Sequence, residues 1–264
     1  MFRHNTWRQA AAVLSIAILP LSAFAIEQDE EEEELEFDEA HIFLELNNTD
    51  GDLGVHGKVD GDEWRVIRIE DPKERRMMVV RATGRLRKQG VTELFFESAE
   101  PTFDELDPIV FFKRFPEGTY EIEGITIDGE EIESETELTH LIPAQPEATV
   151  NGLPYVADCD EDELPVFDRA EDIVIAWEPV TLSHPVLGNT NQPIEVVNYE
   201  LVIEIDDTPW NMSAILPPDV TEFELPEEIL ALADEIKYEI LVREASYNQT
   251  ALESCFEVEG EDLD

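Results

Sequence analysis

The chain is short of positive charge. It carries 17 Lys and Arg against 64 Asp and Glu in 264 residues, a formal net charge of −47. A surface of that sign repels nucleic-acid phosphates and anionic lipid, so neither is expected as a partner. Cysteine is scarce as well: Cys159 and Cys255 are the whole supply, too few for a disulfide framework or a thiolate metal site and without a Cys-x-x-Cys redox pair. Catalytic signatures are missing. There is no His-Glu-x-x-His, no Gly-x-Ser-x-Gly, no Gly-rich phosphate loop and no Cys–His pairing by spacing, and carboxylates are too abundant for any two to be singled out as acid and base. His41, His56, His140 and His184 show no metal-ligand spacing. Long apolar runs are limited to residues 10–21, too short to span a bilayer, so no membrane insertion is expected.

That one run has a meaning of its own. Arg3 and Arg8 precede it, and Ala23-Phe24-Ala25 closes it. A basic start, a short apolar core and a small-x-small end predict a signal peptide, 1–25, and an exported protein, periplasmic or extracellular. Residues 26–39 are dominated by Asp and Glu and predict an acidic disordered segment. In an exported chain an even cysteine count predicts one disulfide, Cys159–Cys255. Closing a loop of about a hundred residues is worth ~4.7 kcal/mol in the chain-entropy model.

From His41 onward the pattern is β. Short stretches alternate apolar and polar residues between Gly, Pro, Asn and Asp clusters. Turns are expected over Asn47–Gly54, at Asp60-Gly61 and at Asp128-Gly129, and a short helix over Asp104–Phe115 with Pro108 in its first turns. The Pro-Ala-Gln-Pro run at 143–146 reads as a stiff linker holding two modules apart. The expected domains are therefore an immunoglobulin-like β-sandwich, 40–142, a linker, 143–147, and a second sandwich, 148–260. One corner design recurs: Phe115 precedes Tyr120-Glu121-Ile122, and Leu232 precedes Tyr238-Glu239-Ile240. The fold class is all-β, two tandem sandwiches with a short helix before the sixth strand of each.

Trp177-Glu178-Pro179, the run Tyr199-Glu200-Leu201-Val202-Ile203, and Leu232 with Tyr238, Ile240 and Val242 make the second half resemble a fibronectin type III domain. The resemblance implies a structural corner built on Trp177, Leu232 and Tyr238, with the Tyr hydroxyl bonded back to the preceding loop. Asp234-Glu235-Ile236 stands where that family carries Pro-Gly. The segment Gly90–Phe115, with Pro116-Glu117-Gly118-Thr119-Tyr120, resembles exported bacterial proteins that carry it ahead of a fibronectin type III domain, and implies the same corner role for Phe115 and Tyr120.

For chemistry, Asp50, Asp52, Asp60 and Asp62 form two Asp-Gly-Asp steps whose oxygens suit Ca²⁺. The same steps also read as plain hairpin turns. The acidity itself has two readings, adaptation to high salt and binding of hard cations. Nine basic residues gathered between Arg65 and Lys88 read as a docking patch or as paired strand faces. The function expected is a non-catalytic exported module binding a protein or a glycan. The alternatives are a Ca²⁺-dependent adhesion or matrix protein and an accessory domain of an extracellular enzyme. No cofactor is expected other than Ca²⁺.

Overall fold

The computed structural model describes residues 35–160, 163–205 and 208–260. The expected signal peptide and the acidic segment up to residue 34 lie outside the described residues. No helix among the described residues is long and apolar enough to cross a membrane.

The fold is all-β. The first half supplies β1 (Glu39–Asn47), β2 (Asp52–Glu70), β3 (Arg76–Arg81), α1 (Leu86–Gln89), β4 (Val91–Glu97), α2 (Pro108–Arg114), β5 (Gly118–Thr126) and β6 (Glu131–Leu138). The second half supplies β7 (Ala148–Val150), β8 (Leu153–Pro154), β9 (Val166–Asp168), β10 (Val174–Trp177), β11 (Val196–Glu204), β12 (Asn211–Leu216), β13 (Glu222–Glu224), α3 (Glu227–Leu230), β14 (Glu235–Glu244) and β15 (Gln249–Glu259). The short helices precede the fifth strand of the first half and the eighth of the second, not the sixth of each. The short strands β7, β8 and β9, made by the long stretch 148–172, shift the count.

Two apolar cores form. One gathers Leu44, Leu46, Trp64, Ile67, Tyr120 and Ile122 with their neighbours between residues 37 and 142. The other gathers Trp177, Tyr199, Leu201, Tyr238, Leu252 and Phe256 between residues 148 and 258. In the second half the four-stranded sheet β13-β10-β7-β8 faces the strands β12-β11-β14-β15 across that core. In the first half one sheet does the enclosing. β2 is a single 19-residue strand, so the turn expected at Asp60-Gly61 is instead an irregularity within it. Its pairing shifts register between Asp60 and Trp64, where the neighbour changes from β1 to β5. Phe37 lies against Gly61, where a Cβ would come within 3.1 Å of its ring, and Gly124 opens the other side of the same slot, where a Cβ would overlap the ring at 2.8 Å. Phe37 is 7% exposed and Leu35 bridges Ile132. Residues 35–39 thus belong to the fold rather than to the acidic lead-in, because Phe37 has a place to bury.

The halves share one sheet. β1 pairs with β15 in parallel, Glu45 opposite Gln249, and the path runs β12-β11-β14-β15-β1-β2-β5-β6. The described residues, from 35 to 260, form one compact unit. The expected linker does not hold the halves apart. The Ala144 N–H donates to the Leu182 carbonyl, the His184 N–H to the Ile142 carbonyl, and the Thr250 hydroxyl to the Pro143 carbonyl (2.8 Å). Asn248, wholly buried, completes the joint. Its Oδ1 accepts from the Leu44 N–H at 2.8 Å, and its Nδ2 donates to the Thr139 carbonyl and hydroxyl, both at 3.0 Å.

The two corners differ. The Tyr120 hydroxyl donates to the Pro116 carbonyl at 3.0 Å, and the ring of Phe115 packs at a tilt against buried Phe111. In the second corner the buried anchor is Leu230, not Leu232, which is 37% exposed. One turn of α3 places Leu230 inward and carries Leu232 past the core. The Tyr238 hydroxyl is directed at the Ser254 side chain on β15 and makes no bond to the preceding loop. Here Asp234-Glu235-Ile236 replaces the turn that would bring a carbonyl within reach. Tyr199 takes the corresponding part, its hydroxyl accepting from the Val180 N–H at 2.9 Å while its ring packs on Trp177.

Candidate functional site

Strand alternation decides what the shared sheet shows to solvent. Around the joint, β14 and β15 send Ile240, Val242, Leu252 and Phe256 into the core. Their alternates are Lys237, Glu239, Glu253 and Cys255. The registers set Glu239 directly opposite Glu253 and Lys237 opposite Cys255. β11 adds Glu200 and Glu204 on the same side, β1 adds Glu45 and Asn47, and β2 adds Asp52 and His56. The outer face of the joint therefore carries two groups of carboxylates, with Ala251, Leu241 and the bonded Gln249–Arg243 pair between them.

Cys255 fixes a roof to this face. The Cys159–Cys255 disulfide forms as expected, with Cα atoms 6.0 Å apart. It ties the loop after β8 over the sheet, and the Val156 N–H donates to the Ser254 hydroxyl at 2.9 Å. Beneath the loop lies a cleft of about 430 Å³ lined by Asp50, Asp158, Asp160, Glu204, Glu239 and Glu253, with Lys237 beside them. A like-charged pair directly opposite on neighbouring strands is unfavourable. The chain answers by holding protons. Burial, then the field of Glu45, Glu253, Glu204 and Glu200, pushes Glu239 up to about 8. Glu253 is raised by burial and by Asp50, against a hydrogen bond from Asn47 Nδ2. At neutral pH the pair holds a proton that a bound cation would displace.

At the other end of the face the hairpin between β1 and β2 places Glu45 opposite Gly54 and Phe43 opposite His56. His56 is 4% exposed. Its Nδ1 lies 3.4 Å from Glu45 Oε2 and its Nε2 lies 2.9 Å from Glu100 Oε1. Burial opposes charge on this ring, but the bond to Glu100 and the fields of Glu45, Glu100 and Glu97 outweigh it, and the pKa is raised. The Glu100 carboxylate rests over Gly54, where any Cβ would overlap it. Gln249 Nε2 donates to Glu45 Oε2. Asp52, pushed up to about 6 by burial and then by Glu100, keeps Oδ1 buried without a hydrogen-bond partner.

Of the four aspartates that read as Ca²⁺ candidates or as plain turns, Asp50 lines the roofed cleft and Asp52 lies in the field of Glu100. Asp60 and Asp62 do not join them. They lie eight and ten residues further along β2, about 26 Å or more away at ~3.3 Å per residue. Asp60 accepts from its neighbour's N–H at Gly61, and Asp62 is exposed. Within the basic stretch 65–88, Arg68 on β2 pairs with Glu123 on β5 at 2.8 Å, and Arg75 pairs with Asp71 in the turn between β2 and β3 at 2.5 Å.

Sequence spacing missed His56 and Glu100, 44 residues apart and joined only through β2 and β4. It also missed the opposition of Glu239 and Glu253. The signal that finds both is register: once the hairpins are paired, Glu239 meets Glu253 and Glu45 meets Gly54.

No family model matches the chain, and no curated protein matches it. Among solved structures, the chain is similar to one described as a 1.5-MDa bacterial ice-binding adhesin, at 10% identity over 84% of this chain and 65% of that one, TM-score 0.26. It is similar to the chicken CNTN1 FN1–FN3 domains at 10% identity over 85% and 65% of the two chains, TM-score 0.29. It is also similar to a two-domain fibronectin type III segment of chicken tenascin at 7% identity over 84% and 98%, TM-score 0.26. The chain spans less than two thirds of the length of the first two. What those proteins bind belongs to them.

Proposed function

We propose that the protein is an exported, non-catalytic binding or structural module whose two halves act as one rigid body and whose roofed acidic cleft takes Ca²⁺. The observation that carries the reading is Glu239 facing Glu253 beneath a loop stapled by Cys159–Cys255, with Asp50, Asp158 and Asp160 around the same space. Ca²⁺ takes six to eight oxygen ligands in flexible geometry, which a half-open ring of carboxylates can supply and a single lysine cannot. Binding would exchange the proton held by the pair for the ion and tighten the loop against β15. A partner protein or glycan would then meet a loop ordered by the ion, the arrangement of a Ca²⁺-dependent adhesion or matrix module. The disulfide supports export, since thiols stay reduced in the cytosol.

Calorimetry and thermal melting in Ca²⁺ test the reading. Saturating Ca²⁺ is expected to raise the melting temperature of the protein, and Glu253→Gln with Asp50→Asn to abolish the rise. No heat of binding and no shift at millimolar Ca²⁺ would remove the ion from the account. The acidity elsewhere on the chain is proposed to reflect salt adaptation, so stability should rise between low and molar NaCl. The same rise in the Glu253→Gln, Asp50→Asn protein would separate that effect from the cleft.

A further inference from the structure

The cleft uses oxygen donors. The other end of the acidic face offers something the cleft lacks, a buried imidazole, and it lies over different strands. One donor atom from each of Glu45, His56 and Glu100 lies within 4.8 Å of the other two. The three come from three separate elements: β1, β2 and the loop after β4. Register brings Glu45 and His56 onto one face, and the bare backbone of Gly54 lets Glu100 lie down beside them.

We propose that Glu45, His56 and Glu100 form a site for a divalent first-row transition-metal ion of the Zn²⁺ class, separate from the Ca²⁺ cleft.

Four observations converge on it. The first is the donor set. One imidazole with two carboxylates suits Zn²⁺ and its neighbours and is a poor match for Ca²⁺, which takes oxygen alone. The second is distance. The His56 Nδ1 to Glu45 Oε2 separation of 3.4 Å is longer than an ordinary N–H···O bond. It is close to the ~3.3 Å between neighbouring ligands that metal bonds of about 2.0 Å set in a tetrahedral site. Glu100, on a loop, needs only side-chain adjustment to join. The third is ring orientation. Both nitrogens of His56 face a carboxylate, so the nitrogen that binds metal has a carboxylate oxygen beside it in either case, and the second carboxylate reaches the same ion by side-chain adjustment. The fourth is Asp52 Oδ1, which is buried, without a hydrogen-bond partner and within the field of Glu100. It is a carboxylate oxygen that a cation would satisfy. Three protein donors leave a position for water or for a group from a partner, the pattern of an open rather than a closed site.

Calorimetry with Zn²⁺ on the protein, with Ca²⁺ present to fill the cleft, tests this. One equivalent of Zn²⁺ is expected to bind. His56→Gln and Glu100→Gln should each weaken it by about 100-fold. His41→Ala, on a ring stacked against Tyr247, and Glu239→Gln, in the cleft, should leave it unchanged. Glu100→Gln guards against a folding defect, since its side chain is partly exposed on a loop. Its melting temperature in chelator should match wild type. The proposal is overturned if wild type binds no stoichiometric Zn²⁺. It is overturned equally if binding survives both His56→Gln and Glu100→Gln, which would mark adventitious binding to surface carboxylates. Loss of Zn²⁺ binding in Glu239→Gln, with His56→Gln silent, would return the ion to the cleft. Because the readouts use different ions and different residues, failure here leaves the Ca²⁺ reading standing, and the reverse.

Discussion

Two polar clusters sit at the joint between the halves, a few residues apart along β15, and they are built to opposite rules. Asn248 and Thr250, on one side, are neutral, wholly buried and bonded: Asn248 alone engages Leu44, Thr139 and Leu141. Glu253, with Glu239 and Glu45 on the other side, is charged, half-buried and in excess of its partners, and all three carboxyls are raised by burial. A fully bonded neutral network stabilises a fold and specifies one arrangement. Opposed carboxylates that must hold a proton to coexist cost stability, and a cost kept at one place marks a site. The first cluster is how the chain joins its halves, and the second is the one we propose takes a cation.

The comparison can be broken most forcefully at the disulfide, which roofs the charged side alone. Cys159→Ser with Cys255→Ser should lower stability by up to ~4.7 kcal/mol in the chain-entropy model and weaken Ca²⁺ binding as well, read by denaturant titration and calorimetry. Breaking the neutral side should have a different signature. Asn248→Ala leaves the Leu44 N–H and the Thr139 and Leu141 carbonyls short of a partner, at a cost of about 2–3 kcal/mol, with Ca²⁺ affinity unchanged once the protein is folded. A denaturation curve that splits into two steps would show the halves uncoupling.

The charged side should respond in the other direction. The folded-state pKa of Glu239 is raised from 4.5 to about 8, so the folded chain keeps a proton that the unfolded chain gives up. Its contribution is fully present below about 4.5 and is lost as pH rises through about 8. Ion-free stability should therefore decline across that window. Glu239→Gln should flatten the decline and gain at least about 1 kcal/mol at pH 8, one pKa unit being worth about 1.4 kcal/mol.

The smallest effect repeats the contrast with one hydroxyl in each half. Tyr120→Phe removes a bond to the Pro116 carbonyl and should cost about 1 kcal/mol. Tyr238→Phe removes a buried hydroxyl that meets only the Ser254 side chain and should cost less than that. Equal losses would contradict the two corner geometries.

How much of this was legible in the sequence follows from range. Alternation over five to ten residues located most strands, the helix at Pro108–Arg114 capped by Asp107, and the Asp128-Gly129 hairpin. Trp177, Tyr199 and Tyr238 lie in the core, where the fibronectin type III resemblance put them. What failed was long-range. An Asp-Gly pair reads locally as a turn, but Gly61 serves the burial of Phe37, 24 residues earlier, and β2 runs through it. Pro143 and Pro146 read locally as a spacer, yet β1 finds β15 some 200 residues away and closes the gap. Leu232 fitted the spacing of a corner anchor, but one helical turn gave the place to Leu230. The cleft was half legible. The disulfide pair was legible and forms; Asp50 lines the cleft, while Glu239 and Glu253 could not be paired until the strands were.

The carboxylates on the outer face of the joint are, in our proposal, held in readiness for a cation. Following the Glu239 carboxyl carbon by NMR through a pH titration, without and with Ca²⁺, tests it most directly. The account predicts a midpoint near 8 in the ion-free protein and a fall of more than about one pH unit at saturating Ca²⁺, as a bound divalent ion favours the ionised form. A midpoint in the ordinary carboxylate range without Ca²⁺, or one near 8 that Ca²⁺ does not move, would contradict it.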